Sequence, residues 1–482
     1  MDNRPLVERD LRVVWHPCTQ MQDHEAFPPI PIRRGEGVWL EDYAGKRYLD
    51  AISSWWVNLF GHANPRINSA ITDQLGQLEH AMLAGFTHEP IVTLSERLVA
   101  RAPHGLARCF YASDGSSAVE IALKMSFHTW RNRGESRTRF ISLSNSYHGE
   151  TLGALAVGDV ALYKETYEPL LLKTITVPSP DCYRREPGES CAGYSTRMFA
   201  AMEAALARHA HETCAVIVEP LVQCAGSMRM YDPVYLKLLR AACTRHNVHL
   251  IVDEIATGFG RTGTLFACEQ AGIAPDFLLL GKGLTGGYLP LSVCMTTDAV
   301  YQAFYGDGIE PRAARHDCMD AGGRATPGAV AEGGRGSGFA EHNARKAFLH
   351  SHSYTGNPLA CAAANATLDI FRDDDVLARN RTLAAHMAQA TARLADHPHV
   401  AEVRQTGMIL AVEMAKDKKS REPYPWQERR GRIVYRHALK RGALLRPLGD
   451  VVYFMPPYVI QPEEIDFLAE VAWEGINLAT AG

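Results

Sequence analysis

The run LLLGKGLTGG (278–287) ends an apolar stretch on one lysine, Lys282, set between glycines. A lysine at the end of a buried strand has three uses. It reaches out to solvent, pairs with a buried carboxylate, or loses its proton to desolvation and acts as a nucleophile. Other residues able to do chemistry sit at comparable places. Asp253 falls at the end of VHLIVDE (248–254), 29 residues earlier. Asp114-Gly115-Ser116-Ser117 separates an apolar run from an amphipathic one, where the free N–H groups and dipole of a helix start can hold a phosphate. Tyr147, in NSYHGET, follows a further run and offers a flat aromatic face. Together these suit pyridoxal 5'-phosphate, which forms a Schiff base with lysine and depends on a carboxylate to keep its ring nitrogen protonated. Taken singly, each has a plainer use as helix cap, core aromatic or structural ion pair; their order along the chain favours the cofactor.

The elements that must position these residues follow from the apolar pattern. ARCFYAS (107–113), TRFISLS (138–144), CAVIVEP (214–220), VHLIVDE and DFLLLGK (276–282) read as buried strands. Amphipathic stretches at 116–134 and 233–247 read as helices between them. The alternation implies an α/β layer with a mostly parallel sheet. In such sheets ligands sit beyond the carboxyl ends of the strands, so Ser113, Glu219, Asp253 and Lys282 should converge. Residues 1–75 carry short strands around GVWLEDYAGKRYLD, and residues from about 365 onward carry long helices and scattered strands. Both flanks are expected to build a smaller α+β domain (1–75 and 366–482) against a large domain (76–365). The segment 306–346, rich in Gly, Ala and Arg, buries little and is expected to be disordered or a lid.

Composition excludes several classes. Across 482 residues the net charge is −4, which gives no electrostatic case for nucleic acid or anionic membranes. No run approaches the roughly 20 apolar residues of a membrane span, and MDNRPLVERDLRVV has no secretory apolar core. The eleven cysteines include no CxxC pair, so neither a zinc site nor a disulfide scaffold is expected. His350 and His352 lack a nearby third ligand, which argues against a metal. The expectation is a cytoplasmic enzyme acting on small molecules.

The spans VDEIATGFGRTGTLFACE (252–269) and PDFLLLGKGLTGGYLPL (275–291) resemble the signature of the class III aminotransferases, which are fold-type I pyridoxal-phosphate enzymes. The resemblance covers nearly the whole chain except 306–346. It implies that Lys282 carries the cofactor covalently, Asp253 pairs with its ring nitrogen, Gly115 and Ser116 bind its phosphate, and Tyr147 covers the ring. It also implies a homodimer with shared sites, in which His352 and Ser353 reach the partner's cofactor and Ser351 its substrate. WHPCTQM (15–21), ISSWW (52–56), EPLVQCAGSMRMY (219–231) and LLRPLGDVVYFMPPY (444–458) are similar to the biotin-pathway branch, whose acceptor is 8-amino-7-oxononanoate. Ala256 stands where ornithine and 4-aminobutyrate aminotransferases usually carry Gln. A broad ω-amine or diamine aminotransferase is the other reading.

Such an acceptor is a long apolar chain ending in a carboxylate. Trp55, and with it Trp56 unless that ring is core, can line a channel for its methylenes. Arg446 in LRPLGD can clamp the carboxylate, and Arg261 in FGRTG is a weaker candidate for polar contacts. Two departures leave the amino donor open between S-adenosylmethionine and lysine. Cys18 replaces the aromatic residue that WHPxT motifs usually carry, and it cannot supply a stacking face. Ser351-His352-Ser353 replaces the Gly-Pro-Thr of many relatives and is closer to the lysine-using branch.

Overall fold

A computed structural model gives the fold of residues 3–306 and 346–481. All but the two end residues of the expected lid or disordered segment, 306–346, lie outside the described residues.

Near the N-terminus Ile32–Glu36 (β1), Trp39–Asp42 (β2) and Arg47–Asp50 (β3) form an antiparallel meander. The middle of the chain supplies Leu106–Ala112 (β4), Arg139–Leu143 (β5), Ile175–Val177 (β6) and Thr213–Val218 (β7). A short hairpin follows, Val222–Gln223 (β8) with Arg229–Met230 (β9), then His249–Asp253 (β10), Phe277–Leu280 (β11) and Ser292–Thr297 (β12). Val400–Thr406 (β13), Ile409–Met414 (β14), Ala443–Leu444 (β15) and Val451–Phe454 (β16) complete the strands among the described residues.

The central sheet has the order β4-β12-β11-β10-β7-β5-β6. Its pairs are parallel except where β12 runs antiparallel between β11 and β4. The apolar-run pattern does not single out β12, because Ser292, Cys294 and Thr296 dilute it, although that strand is buried almost throughout. β7, β10 and β11 are buried end to end, as parallel strands covered on both faces must be. Their side chains divide with period two. Val216, Val218, Leu250, Val252 and Leu278 pack in one cluster with helices Cys191–His209 and Pro233–Arg245, and Ala215, Ile217, Ile251, Phe277 and Leu279 in another with helix Gly115–Asn132. Asp114 starts that helix: its Oδ1 accepts the Ser117 backbone N–H at 2.9 Å.

The two ends of the chain meet in one sheet, β1-β2-β3-β15. β15 runs parallel to β3, setting Ala443 opposite Leu49 and Leu444 opposite Asp50. A third sheet, β13-β14-β16, is antiparallel. One bond corrects the reading of the cysteines: Cys182 and Cys191 are joined as a disulfide. They are nine positions apart, but the turn Cys182–Arg184 folds back to the start of helix Cys191–His209 and brings the Cα atoms within 5.4 Å.

Candidate active site

The carboxyl ends of β10, β11, β7 and β5 form the inner part of the site. Asp253, the last residue of β10, lies opposite Leu279 of β11 and is buried. Its Oδ1 accepts the Ile255 N–H at 3.2 Å, and its Oδ2 lies 2.7 Å from Nδ1 of the buried His148. Glu219 follows β7, also buried, with its two oxygens accepting the N–H groups of Tyr147 and Cys224 at 2.9 and 3.0 Å. Burial lifts its carboxyl to about 7, with the negative Asp253 adding to the shift and His148 opposing it.

Lys282 begins a tight turn just past β11 with a left-handed φ of +41°. Its Nζ lies 5.3 Å from the centroid of the Trp56 ring. Burial lowers its pKa from the ordinary lysine value, against the pull of Asp253, Cys224 and Glu219. The surrounding glycines serve close approach. A Cβ on Gly287 would stand 2.9 Å from the Asn58 backbone nitrogen, and Gly287 also needs φ +89°. Ile255 fills the space between two others: its Cγ2 would be 3.0 Å from a Cβ on Gly115 and 3.3 Å from one on Gly281. That packing draws the start of helix Gly115–Asn132 to the ends of β10 and β11.

Outside this floor the chain builds a mouth from distant segments. Trp56 is buried and its Nε1 donates to the Tyr453 hydroxyl at 3.0 Å. Trp55 is 40% exposed, and the Arg446 guanidinium carbon lies 5.0 Å from its ring centroid. Tyr147 donates its hydroxyl to Glu150 at 3.0 Å and meets Tyr163 edge to face at 5.5 Å. Cys18 Sγ is 4.0 Å from the same Glu150 oxygen. Partial burial and then Glu150 push the Cys18 thiol up, while Arg446 pulls it down, so the group stays a thiol.

Lys282, Asp253, Tyr147, Gly115 and Ser116 thus meet at the sheet end, with Trp55, Arg446 and Cys18 around the opening. Ser351, His352 and Ser353 do not join them within one chain. Ser351 and Ser353 are exposed, and His352 faces His350, whose Nδ1 lies 2.9 Å from Lys124 Nζ on the outer part of helix Gly115–Asn132. Arg261 requires a correction. It is 1% exposed and spends both terminal nitrogens of its guanidinium on the carbonyls of Trp56, Asn58, Met455 and Pro456, so it clamps backbone and its burial keeps it from the mouth. His148, Glu150 and Tyr163 were not picked out by sequence reasoning. A histidine directly after the aromatic platform was the available signal for the first.

These residues fit pyridoxal phosphate on their own chemistry. The first N–H groups of helix Gly115–Asn132 lack helical partners, as at any helix start. Asp253 is a buried carboxylate braced by an imidazole, and Lys282 is an amine made less basic by burial. Comparison with known proteins agrees. Residues 20–472 match the family model "Aminotransferase class-III". The chain belongs to the class III aminotransferase family, whose members depend on pyridoxal phosphate. The chain is 46% identical to the adenosylmethionine-8-amino-7-oxononanoate aminotransferase of Helicobacter pylori over 95% of each chain. A crystal structure of the Methanocaldococcus jannaschii enzyme of that name superposes with a TM-score of 0.87 at 35% identity, covering 99% of each chain. An omega transaminase from Pseudomonas jessenii, solved in complex with PMP, superposes with a TM-score of 0.86 at 26% identity, over 99% of this aminotransferase and 100% of that chain. The fold is therefore that of the fold-type I aminotransferases.

Proposed function

We propose that this aminotransferase transfers an amino group to the ketone of 8-amino-7-oxononanoate, giving 7,8-diaminononanoate for biotin synthesis, with S-adenosylmethionine as donor. The observation that carries the reading is the pairing of Arg446 with Trp55 at the mouth, outward of Trp56 and Lys282. An indole wall followed by a guanidinium suits an apolar chain that ends in a carboxylate. The relatives named for this activity support it.

Gly115 and Ser116 would hold the cofactor phosphate, Asp253 the ring nitrogen, Tyr147 a ring face, and Lys282 the carbonyl carbon. Bound there, pyridoxal phosphate supplies an electron-poor ring that takes up the electron pair left when the donor carbon loses its proton. Lys282 would take that proton on Nζ and return it. Burial lowers its pKa and so favours the neutral amine that can accept. Asp253 would hold a positive charge at the ring nitrogen, and His148 fixes that carboxylate. Trp55 and Trp56 exclude water from the acceptor chain. In a cytoplasmic homodimer Ser351, His352 and Ser353 would complete the partner's site.

Lysine is the second donor reading, favoured by Cys18: no ring stands at that position, while the nearby Glu150 carboxylate can receive an ammonium group. The test is a half-reaction on purified holoenzyme with each donor separately. Loss of the cofactor's visible absorbance identifies the donor. Its return on adding 8-amino-7-oxononanoate, with the diamine detected by mass, supports the acceptor; no return removes that acceptor.

A further inference from the structure

The turn that carries both mouth tryptophans is wound the wrong way. Ser53, Ser54, Trp55 and Trp56 have φ values of +51°, +46°, +72° and +73°. Four consecutive L-residues in the left-handed region are unfavourable, most of all bulky ones. Glycines take positive φ close by, at Gly37 and Gly61, but at 55 and 56 the chain keeps indoles. Something must hold this conformation.

Backbone bonds hold part of it: Trp56 N–H to the Ile52 carbonyl at 2.8 Å and Val57 N–H to that of Ser53 at 3.0 Å. The side-chain tie is Asp50, which is fully buried. Its Oδ2 accepts from the Ser54 hydroxyl at 2.7 Å and from His62 Nε2 at 3.1 Å, and its Oδ1 from the Ile52 N–H at 3.3 Å. The other nitrogen of His62 faces Asn58 Nδ2 at 3.2 Å, and its backbone pairs with Gly37. Asp50 also lies opposite Leu444, two residues before Arg446, where β15 joins β3. One carboxylate therefore fixes the turn bearing Trp55 and stands in register with the strand that leads to Arg446. Serine, histidine and aspartate together suggest a nucleophile, but the geometry excludes it. Ser54 and His62 both bond to the same carboxylate oxygen, whereas in a nucleophilic triad the histidine stands between the other two.

We propose that Asp50 and His62 are positioning residues that hold the left-handed Ser53–Trp56 turn and so set the distance between Trp55 and Arg446. Neither touches substrate. The inference rests on the long-chain acceptor reading, and its test separates the two. Holoenzyme variants Ser54→Ala, Ser54→Gly and Asp50→Asn are assayed for KM and kcat with acceptor and donor. Binding of nonanoate, a nine-carbon carboxylate, is measured by calorimetry. Ser54→Ala, which loses the tie and keeps a Cβ at φ +46°, should raise acceptor KM and nonanoate Kd about tenfold with kcat and donor KM within about twofold. Ser54→Gly also loses the tie but removes the strain, and should recover most of that loss. Asp50→Asn should follow Ser54→Ala; should it fail to fold, the Ser54 pair still decides. Equal changes in both substrates tracking Tm, or Ser54→Gly no better than Ser54→Ala, would overturn the proposal. Wild-type enzyme that fails to bind nonanoate would overturn it too. If wild type binds nonanoate without converting the acceptor, the assigned reaction fails, and the calorimetric ranking of the variants alone decides the positioning role.

Discussion

The floor of the site and its mouth are built on different principles. The floor comes from one sheet: Asp253, Glu219 and Lys282 lie at or just past the ends of neighbouring parallel strands, and their places are fixed by the sheet register. The mouth collects Cys18, Trp55, Glu150, Tyr163 and Arg446 from separate segments, joined by side-chain contacts and by one strained turn. On the proposed reading, a buried floor of bonded charges would serve a reaction common to many substrates, and a half-exposed mouth of rings and one guanidinium would serve a choice among them. Changes in the floor should therefore damage both half-reactions alike, and changes in the mouth should damage one.

The strongest way to break that contrast is Lys282→Ala. Turnover should fall by at least about 10⁴-fold with either substrate, the upper range for a positioned proton-transfer group; appreciable steady-state turnover would remove Lys282 from its role. Asp253→Asn should retain cofactor but lose about a hundredfold in both half-reactions, because an amide cannot stabilise a charged ring nitrogen and leaves His148 facing a poorer partner. Stopped-flow comparison of the two halves checks that the loss is shared. Arg446→Ala should raise acceptor KM by about 10–100-fold, the worth of a charge-assisted contact, with donor KM little changed. Equal effects on the two would dissolve the distinction between floor and mouth.

The smallest effect sharpens the electrostatics of the floor. Glu219 titrates at about 7 in the folded chain against an ordinary value of 4.5. Between those values the folded state binds more protons than the unfolded one, so this group makes stability fall as pH rises from about 4.5 to 7. Glu219→Gln should flatten that part of the Tm-versus-pH curve. Its Tm should be lower throughout, because the amide cannot accept from both Tyr147 and Cys224 N–H groups. An unchanged slope would show that Glu219 is ionised across the range.

The same division governs how much the sequence disclosed. The strands and their order-independent ends were legible, because fully buried parallel strands are continuous apolar runs and a charged residue closing one is conspicuous. That is why Lys282 and Asp253 stood out without reference to any family. Trp55 and Arg446 stood out only through resemblance, since nothing in 55 or 446 alone reports that β3 and β15 pair. His148 escaped because its partner lies on a strand about a hundred residues away. Arg261 was misjudged because an arginine in a Gly-flanked turn looks solvent-facing. Its burial becomes visible only when four carbonyls from two other segments arrive around it.

The pairing of β3 with β15 has a consequence for how the molecule is made. During synthesis Arg47–Asp50 leaves the ribosome long before Ala443–Leu444 exists, so its edge waits through most of translation for a partner. Contacts this far apart in sequence close late and slowly. Asp253 and the strand that leads to Lys282 belong to a sheet complete by residue 297. If the proposed roles hold, a nascent chain has the reactive group before it has the means to discriminate, and substrate choice is the last property it acquires.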